Sequence, residues 1–396
     1  MDLRFDPDDE AYRQRLRAWL TANVDDSVRR RPRDRDEAVR AAREWQRHLY
    51  EAGYVGLAWP REYGGQEESV TRQVIVAEEL ARASAPPLLN AVGLGILGPT
   101  LLAHGTEEQK RRFLPRILTA EELWCQGFSE PEAGSDLAAL RTRAVLDGDT
   151  FVVSGQKVWT SLGPVADWVF LLARTDPEAP KREGLSFLLC PMSTSGITVV
   201  PLRNAAGGLH FSEVFFDDVR IPAHLLVGEL HGGWRVARST LDHERSGLAG
   251  LVDLERTLRR LWRLAGGCPG PDERPAVEDR AVRRDLAQRW TEVEALRHLG
   301  YRTLTAQLSG RDPGPEAAVG KLFASELRQH LMRTALAIEG PLAQLGRRSP
   351  HVPDRGRWQV GYLDSLAHTI GGGTSEVMRN VIAERVLHLP RSVEDA

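Results

Sequence analysis

The sequence predicts an α+β protein of several domains in the order helices, sheet, helices, and three observations predict it. Apolar residues recur at helical spacing through the first third, short β-rich runs separated by glycine and proline follow Glu122, and helical spacing returns near Trp234 and persists to the end. These changes of period divide the chain into an N-terminal helical domain, 1–122, a middle antiparallel β domain, 123–230, and a C-terminal helical domain, 231–396. With 396 residues, 42% of them hydrophobic, the chain is long enough to bury the cores this plan requires.

In the first domain, Tyr12, Leu16, Trp19 and Leu20, then Val39, Ala42, Trp45 and Leu49, each lay one apolar face along a helix. Trp59-Pro60-Arg61-Glu62-Tyr63-Gly64-Gly65 interrupts the helices, and Thr106-Glu107-Glu108-Gln109 starts one, because threonine caps and the acids complement the helix dipole. Strands are predicted at 142–145, 151–154, 168–173, 185–190, 197–201 and 213–216, with Asp147-Gly148 as the hairpin turn between the first two. Val282, Leu286, Trp290, Val293, Leu296, Leu304 and Leu308 then mark a long helix. The Pro/Gly-rich charged segments 266–275, 309–316 and 347–357 read as exposed connections inside one helical domain.

Lys and Arg number 52 against 55 Asp and Glu, a formal charge of -3, so no global field draws the chain to nucleic acid or anionic lipid. The one dense basic stretch, 29–33, is broken by Pro32 and followed by Asp34, Asp36 and Glu37, which reads as solvated surface. Cys125, Cys190 and Cys268 form no Cys-x-x-Cys pair and have no histidine at zinc-ligand spacing, which favours a reducing compartment and no structural metal. The acidic N-terminus lacks a secretion signal and no apolar run reaches membrane-spanning length, so a cytoplasmic location is expected.

A literal Gly-x-Gly-x-x-Gly at Gly93, Gly95 and Gly98 has no strand before it and follows Pro86-Pro87, so tight helix packing is the expected role rather than dinucleotide binding. The segment Gly127-Phe128-Ser129-Glu130-Pro131-Glu132-Ala133-Gly134-Ser135-Asp136 is the densest cluster of small, hydroxyl and acidic residues. Such a turn offers backbone N–H groups and two hydroxyls to a flavin, and by composition alone an ordinary interdomain loop is an equal reading.

That segment resembles the signature of the acyl-CoA dehydrogenase family. So do Gly105-Thr106-Glu107-Glu108-Gln109-Lys110, Gln156-Lys157-Val158-Trp159-Thr160-Ser161 and Ser212-Glu213-Val214-Phe215-Phe216-Asp217-Asp218-Val219-Arg220-Ile221-Pro222, in the family's order. The resemblance is strong through Glu229, weaker to Arg245, and resumes over 371–390. It implies the acyl-CoA dehydrogenase fold, with a four-helix-bundle-like C-terminal domain and FAD between the sheet and the C-terminal helices at a subunit boundary. It also implies that Ser129 and Ser135 meet the isoalloxazine and pyrophosphate of FAD, Ser135 lying toward the substrate as well, and that Trp159 and Ser161 line the ring. Taken singly, Trp159 would read as a core residue.

The family's chemistry removes a proton from the α-carbon of an acyl thioester and passes hydride from the β-carbon to flavin. The α-proton leaves only if a carboxylate is held against it in a dry pocket while hydrogen bonds polarise the thioester carbonyl. In many relatives that acid precedes Gly-Thr, the place of Gly372 in Gly371-Gly372-Gly373-Thr374. Glycine there keeps a backbone N–H for the carbonyl and leaves room for a branched or bulky acyl group.

Leu241-Asp242-His243-Glu244-Arg245 resembles the Leu-Asp-x-Glu-Arg helix of isovaleryl-CoA dehydrogenase and similar members, which carries the acid instead. Glu244 is the expected base, Arg245 and Asp242 the expected contacts to pantetheine or nucleotide, and His243 surface. A solvated helix face is the alternative, since charged triplets are common there. Thr374 and Glu376 resemble contacts to the adenine half of FAD, while a helix cap at Thr374 is the competing account.

The family's Arg-x-x-Phe-Gly and Gln-x-x-Gly-Gly-x-Gly stretches are replaced by Asp279-Arg280-Ala281-Val282-Arg283-Arg284-Asp285 and Gly340-Pro341-Leu342-Ala343-Gln344-Leu345-Gly346. Three functions follow. One is FAD-dependent dehydrogenation of an acyl-CoA or carrier-bound thioester by a homo-oligomer, dimer or tetramer, that passes electrons to an electron-transfer flavoprotein. A second is a non-catalytic or half-site subunit of a heterotetramer with a paralogue. A third keeps the fold but lets dioxygen reoxidise the flavin, as oxidases of similar architecture do.

Overall fold

Several helices of this chain begin where an oxygen side chain can accept an orphan amide. In the computed structural model, which describes residues 6–29, 32, 34–245, 249–270, 272–308, 314 and 317–390, Asp6 caps α1 (Pro7–Asn23) by accepting from the Asp8 amide at 2.9 Å. A short α2 (Asp26–Arg29) follows, then α3 (Arg35–Glu51), capped by Asp34, and α4 (Val70–Arg82), capped by Ser69. α5 (Gly98–His104) continues a π-helical turn at Gly93–Leu97, and α6 (Glu107–Leu118) opens on a reciprocal capping box between Thr106 and Gln109.

The Gly-x-Gly-x-x-Gly is a packing device. A β-carbon on Gly98 would stand 2.0 Å from the Trp59 ring, and one on Gly93 would stand 2.5 Å from the Asn90 amide oxygen. Leu16, Leu20, Leu49, Ile75, Leu101 and Leu114 are fully buried between these helices. Among them sits the buried Glu79, on which the buried Arg13 and, from nearer the surface, Arg17 and Arg82 converge at 3.0, 2.9 and 2.7 Å.

The sheet contains β1 (Trp124–Gly127), β2 (Arg143–Asp147), β3 (Thr150–Ser161), β4 (Trp168–Arg174), β5 (Leu185–Pro191), β6 (Ile197–Leu202), β7 (Phe211–Pro222) and β8 (Leu226–Val227). Its order is β6-β7-β3-β2-β4-β5-β8, with β1 on β4. Most neighbours are antiparallel as expected, but β1 runs parallel to β4, and Arg143 pairs parallel with Arg174. Four residues are too few to display a period, so β1 escapes a sequence reading. β3 and β7 extend well past their apolar runs, because their polar residues also occupy ladder positions.

The chain packs as two compact units, Met1–Glu244 and Arg245–Ala396. α7 (Gly233–Arg245) closes the first. The second holds α8 (Ala249–Gly267), α9 (Arg280–Leu308), α10 (Ala317–Glu339), α11 (Arg357–His368) and α12 (Ser375–Val381). α10 packs on α8, α9 and α11 over Leu261, Leu286, Leu327, Leu331 and Trp358, which gives the bundle-like core. Of the predicted connections, most of 309–316 lies outside the described residues, as do Arg30, Arg31 and Arg33 of the basic stretch. The three cysteines are buried and unpaired. Among the described residues, no helix is long and apolar enough to cross a membrane.

Candidate active site

In the first unit the candidate residues sit on a strand irregularity. Lys157 pairs with Val214 and Thr160 with Ser212, so β3 carries one more residue than β7 across this step. The extra residue breaks the in-and-out alternation: Lys157 and Thr160 are buried, and Trp159 between them is 60% exposed at φ +61°. A left-handed backbone at a bulky residue costs about 1–3 kcal/mol, and such strain concentrates at functional sites. Trp159 is therefore not a core residue. Its ring stands nearly perpendicular to that of Phe211, 6.0 Å between centroids, and Ser161, half-buried, ends the strand opposite Phe211.

The 127–142 loop is fastened to this strand. The Val158 amide donates to the Ser129 carbonyl at 2.9 Å, and Glu130 and Ala133 exchange backbone hydrogen bonds that close the turn. Phe128 anchors it edge-on against Phe170 and Phe187. Beneath the loop, the Lys157 ammonium donates to the Phe128 carbonyl at 3.0 Å and to Glu130 Oε1 at 2.8 Å, while Glu130 accepts the Arg141 and Thr142 amides at 2.7 and 2.8 Å. Burial pushes the Lys157 ammonium down to about 8 against the pull of Glu130. Burial alone would raise Glu130, but Lys157 and the two amides hold it below the usual carboxylate range. Ser129 is half-buried above this pair, whereas Ser135 lies exposed at the far end of the turn.

α7 places its buried Thr240 hydroxyl 3.1 Å from that of Thr100 on α5. Asp242, Glu244 and Arg245 belong to the last turn of α7, with position 244 one helical turn beyond Thr240. The side chains from 242 to 251, His243 included, lie outside the described residues.

In the second unit the glycine turn joins α11 to α12. Gly372 and Gly373 take φ of +66° and +98°, a backbone that L side chains rarely adopt. Lys321 on α10 pins the turn by donating to the carbonyls of Gly373 and His368. Thr374 caps α12 by accepting the Val377 amide at 3.1 Å. Glu376 is held below its usual range by its own backbone N–H and the Thr374 hydroxyl. Gln329, His330, Arg333, Thr374, Glu376 and Arg379 line a polar cavity of ≈ 450 Å³ here, and the buried Ser375 hydroxyl at its wall finds no hydrogen-bond partner.

Ser129, Trp159 and Ser161 are thus joined in one unit, and Gly372, Thr374 and Glu376 in the other. Sequence reasoning gave no role to Lys157 or Glu130. The available signal was a lysine within a strand, between the turn cluster and an aromatic, where solvent-facing alternation leaves it no reason to be buried.

Three models of the family match the chain: acyl-CoA dehydrogenase N-terminal domain over residues 6–121, middle domain over 125–219 and C-terminal domain over 231–387. The chain belongs to the acyl-CoA dehydrogenase family. It is 41% identical to acyl-CoA dehydrogenase IpdE1 of Mycobacterium tuberculosis (strain ATCC 25618 / H37Rv), over 98% of this chain and 99% of that protein. A chain of the ChsE4-ChsE5 complex from Mycobacterium tuberculosis superposes with a TM-score of 0.85 at 35% identity, covering 99% of this chain and 100% of its own. The Tcur3481-Tcur3483 steroid ACAD does so with a TM-score of 0.85 at 33% identity, covering 99% and 100%.

This acyl-CoA dehydrogenase is accordingly an oxidoreductase acting on CH–CH donors, a flavoprotein of lipid metabolism with helical regions before and after a central sheet. Its residues fit a flavin. Trp159 offers an exposed aromatic surface, and Thr160 Oγ1 and Ser375 Oγ are buried hydroxyls without partners among the described residues, polar groups that a bound ligand can satisfy.

Proposed function

We propose that this acyl-CoA dehydrogenase performs FAD-dependent α,β-dehydrogenation of an acyl thioester whose acyl group is branched, bulky or carried on a protein, with Glu244 as the base. The observation that carries the reading is the pairing of a side-chain-free, left-handed Gly372 with the Leu-Asp-x-Glu-Arg pattern at the end of α7. Glu244 takes the α-proton. Arg245 and Asp242 hold the pantetheine or nucleotide of the thioester, and the Gly372 amide donates to its carbonyl, which stabilises the developing enolate. Ser129, Ser135, Trp159 and Ser161 would hold FAD, Ser135 also reaching toward the substrate, with Thr374 and Glu376 as the contacts to its adenine half. When bound, the flavin accepts the β-hydride. The missing side chain at Gly372 and the likeness to a protein named as a steroid ACAD both support a bulky acyl group.

Glu244→Gln tests this: kcat should fall at least about a hundredfold while FAD is retained, as for loss of a general base. An unchanged rate would remove Glu244 from the mechanism.

A second reading makes the chain one half of a heteromer. It is favoured by the absence of the Arg-x-x-Phe-Gly stretch, where α9 instead starts on an Asp279 cap, and by similarity to complexes named for two different chains. Purified alone, such a subunit is colourless and gains flavin with its paralogue, whereas a yellow homo-oligomer reduced by acyl-CoA rejects it. Turnover with electron-transfer flavoprotein against turnover with dioxygen identifies the electron acceptor.

A further inference from the structure

We infer that Lys157 and Glu130 are positioning residues for the flavin: a buried ion pair that fixes the Ser129 turn and the Trp159 bulge in one geometry. The inference rests on the flavin-site reading above and adds residues to it.

Both side chains are out of solvent, Lys157 at 0% and Glu130 at 8% exposure, so neither can touch a cofactor lying against Trp159 from outside. Their contacts all run to backbone or to each other. Lys157 binds the carbonyl of Phe128, immediately before Ser129; Glu130, immediately after it, binds Lys157 and the amides that end the loop. One ammonium on β3 therefore locates Ser129 from both sides, and the same strand two residues later presents Trp159. The lysine stem runs against the end of β1. A β-carbon on Gly127 would be tight against β4, 3.1 Å from Val169 and 3.2 Å from Leu171, and in ordinary contact, 3.5 Å, with Lys157 Cγ, so glycine at the end of β1 keeps β1 close to its parallel partner while Lys157 packs alongside. A buried pair adds little net stability over an apolar replacement, whereas a directional one fixes geometry.

Glu79 with its three arginines is the control, since it is a buried ionic network remote in sequence from every proposed site residue. The protein, with its paralogue if flavin uptake requires one, is loaded with FAD, and flavin dissociation constant, visible spectrum and melting temperature are measured for wild type, Lys157→Arg, Lys157→Met/Glu130→Gln and Glu79→Gln. Lys157→Arg keeps a cation opposite Glu130 but puts a larger planar guanidinium in place of the compact ammonium, which changes the geometry of donation to Phe128. It should weaken flavin binding about tenfold or more and blur the flavin band, with a smaller melting shift than Glu79→Gln. The double variant should melt near wild type yet bind flavin as poorly. Glu79→Gln should melt early and keep wild-type flavin affinity.

Wild-type affinity and spectrum in Lys157→Arg would overturn the brace, as would flavin loss that tracks melting temperature across all variants. If the double variant does not fold, Lys157→Arg decides alone. A wild type that takes up no flavin, with or without a paralogue, overturns the site and the brace together, which separates that failure from failure of the brace only.

Discussion

The 127–142 loop and the glycine turn before α12 are both tied down by a lysine that reaches a backbone carbonyl, yet the two lysines work in different surroundings. Lys157 is fully buried and opposed by Glu130, and it holds a loop whose side chains are the ones proposed for the flavin site. Lys321 is half-buried and donates to two carbonyls of a turn that contributes mainly backbone. A site that uses side chains needs their backbone fixed from behind. A site that uses an N–H needs freedom of φ, and glycine provides it.

The largest effect expected from this contrast is on stability. Lys157→Met leaves Glu130 buried and unpaired and should cost about 3–5 kcal/mol in the first unit, against about 1–2 kcal/mol for Lys321→Met in the second. Denaturant titration of both variants checks the order, and a larger loss at Lys321 would break the comparison.

Next come opposite signs at left-handed glycines and a left-handed tryptophan. Gly372→Ala and Gly373→Ala should each destabilise by about 1–2 kcal/mol, because alanine resists positive φ. Trp159→Gly, which relieves strain at an exposed residue, should stabilise by up to about 1 kcal/mol while weakening flavin binding. Loss of stability at Trp159 would show that its ring is held for packing after all.

The smallest effect sharpens the contrast between buried carboxylates. Glu130 has a lysine; Glu339 faces Asp354, and burial first and that charge second push it up to about 7, with only the Gln359 amide opposing. An acid whose folded value lies above its unfolded one contributes stability at low pH and loses it as pH rises to about 7. Glu339→Gln should therefore flatten the decline between about pH 5 and 7 and stabilise by about 1–2 kcal/mol at pH 8, measured by melting temperature against pH. A variant that keeps the wild-type slope excludes Glu339 as its source.

Much of this was legible in order along the chain. The Thr106 cap sits where a helix starts, Asp147-Gly148 turns β2 into β3, and the Ser129 and Trp159 motifs fall on one loop and one strand. What was not legible involved elements too short or partners too distant. β1 has four residues and joins its sheet in parallel, and the Lys157–Glu130 pair spans 27 positions with no periodic signature.

The sequence by itself determined the order of helices and strands, the family and the chemistry its acids and glycines suit, because caps, periods and motifs act over a few residues. Only the tertiary structure decided which polar groups are buried together, that Trp159 turns outward on a strained bulge, and that Gly372 occupies left-handed backbone. Those outcomes depend on burial and on φ, which are set by what packs against a residue from elsewhere in the chain.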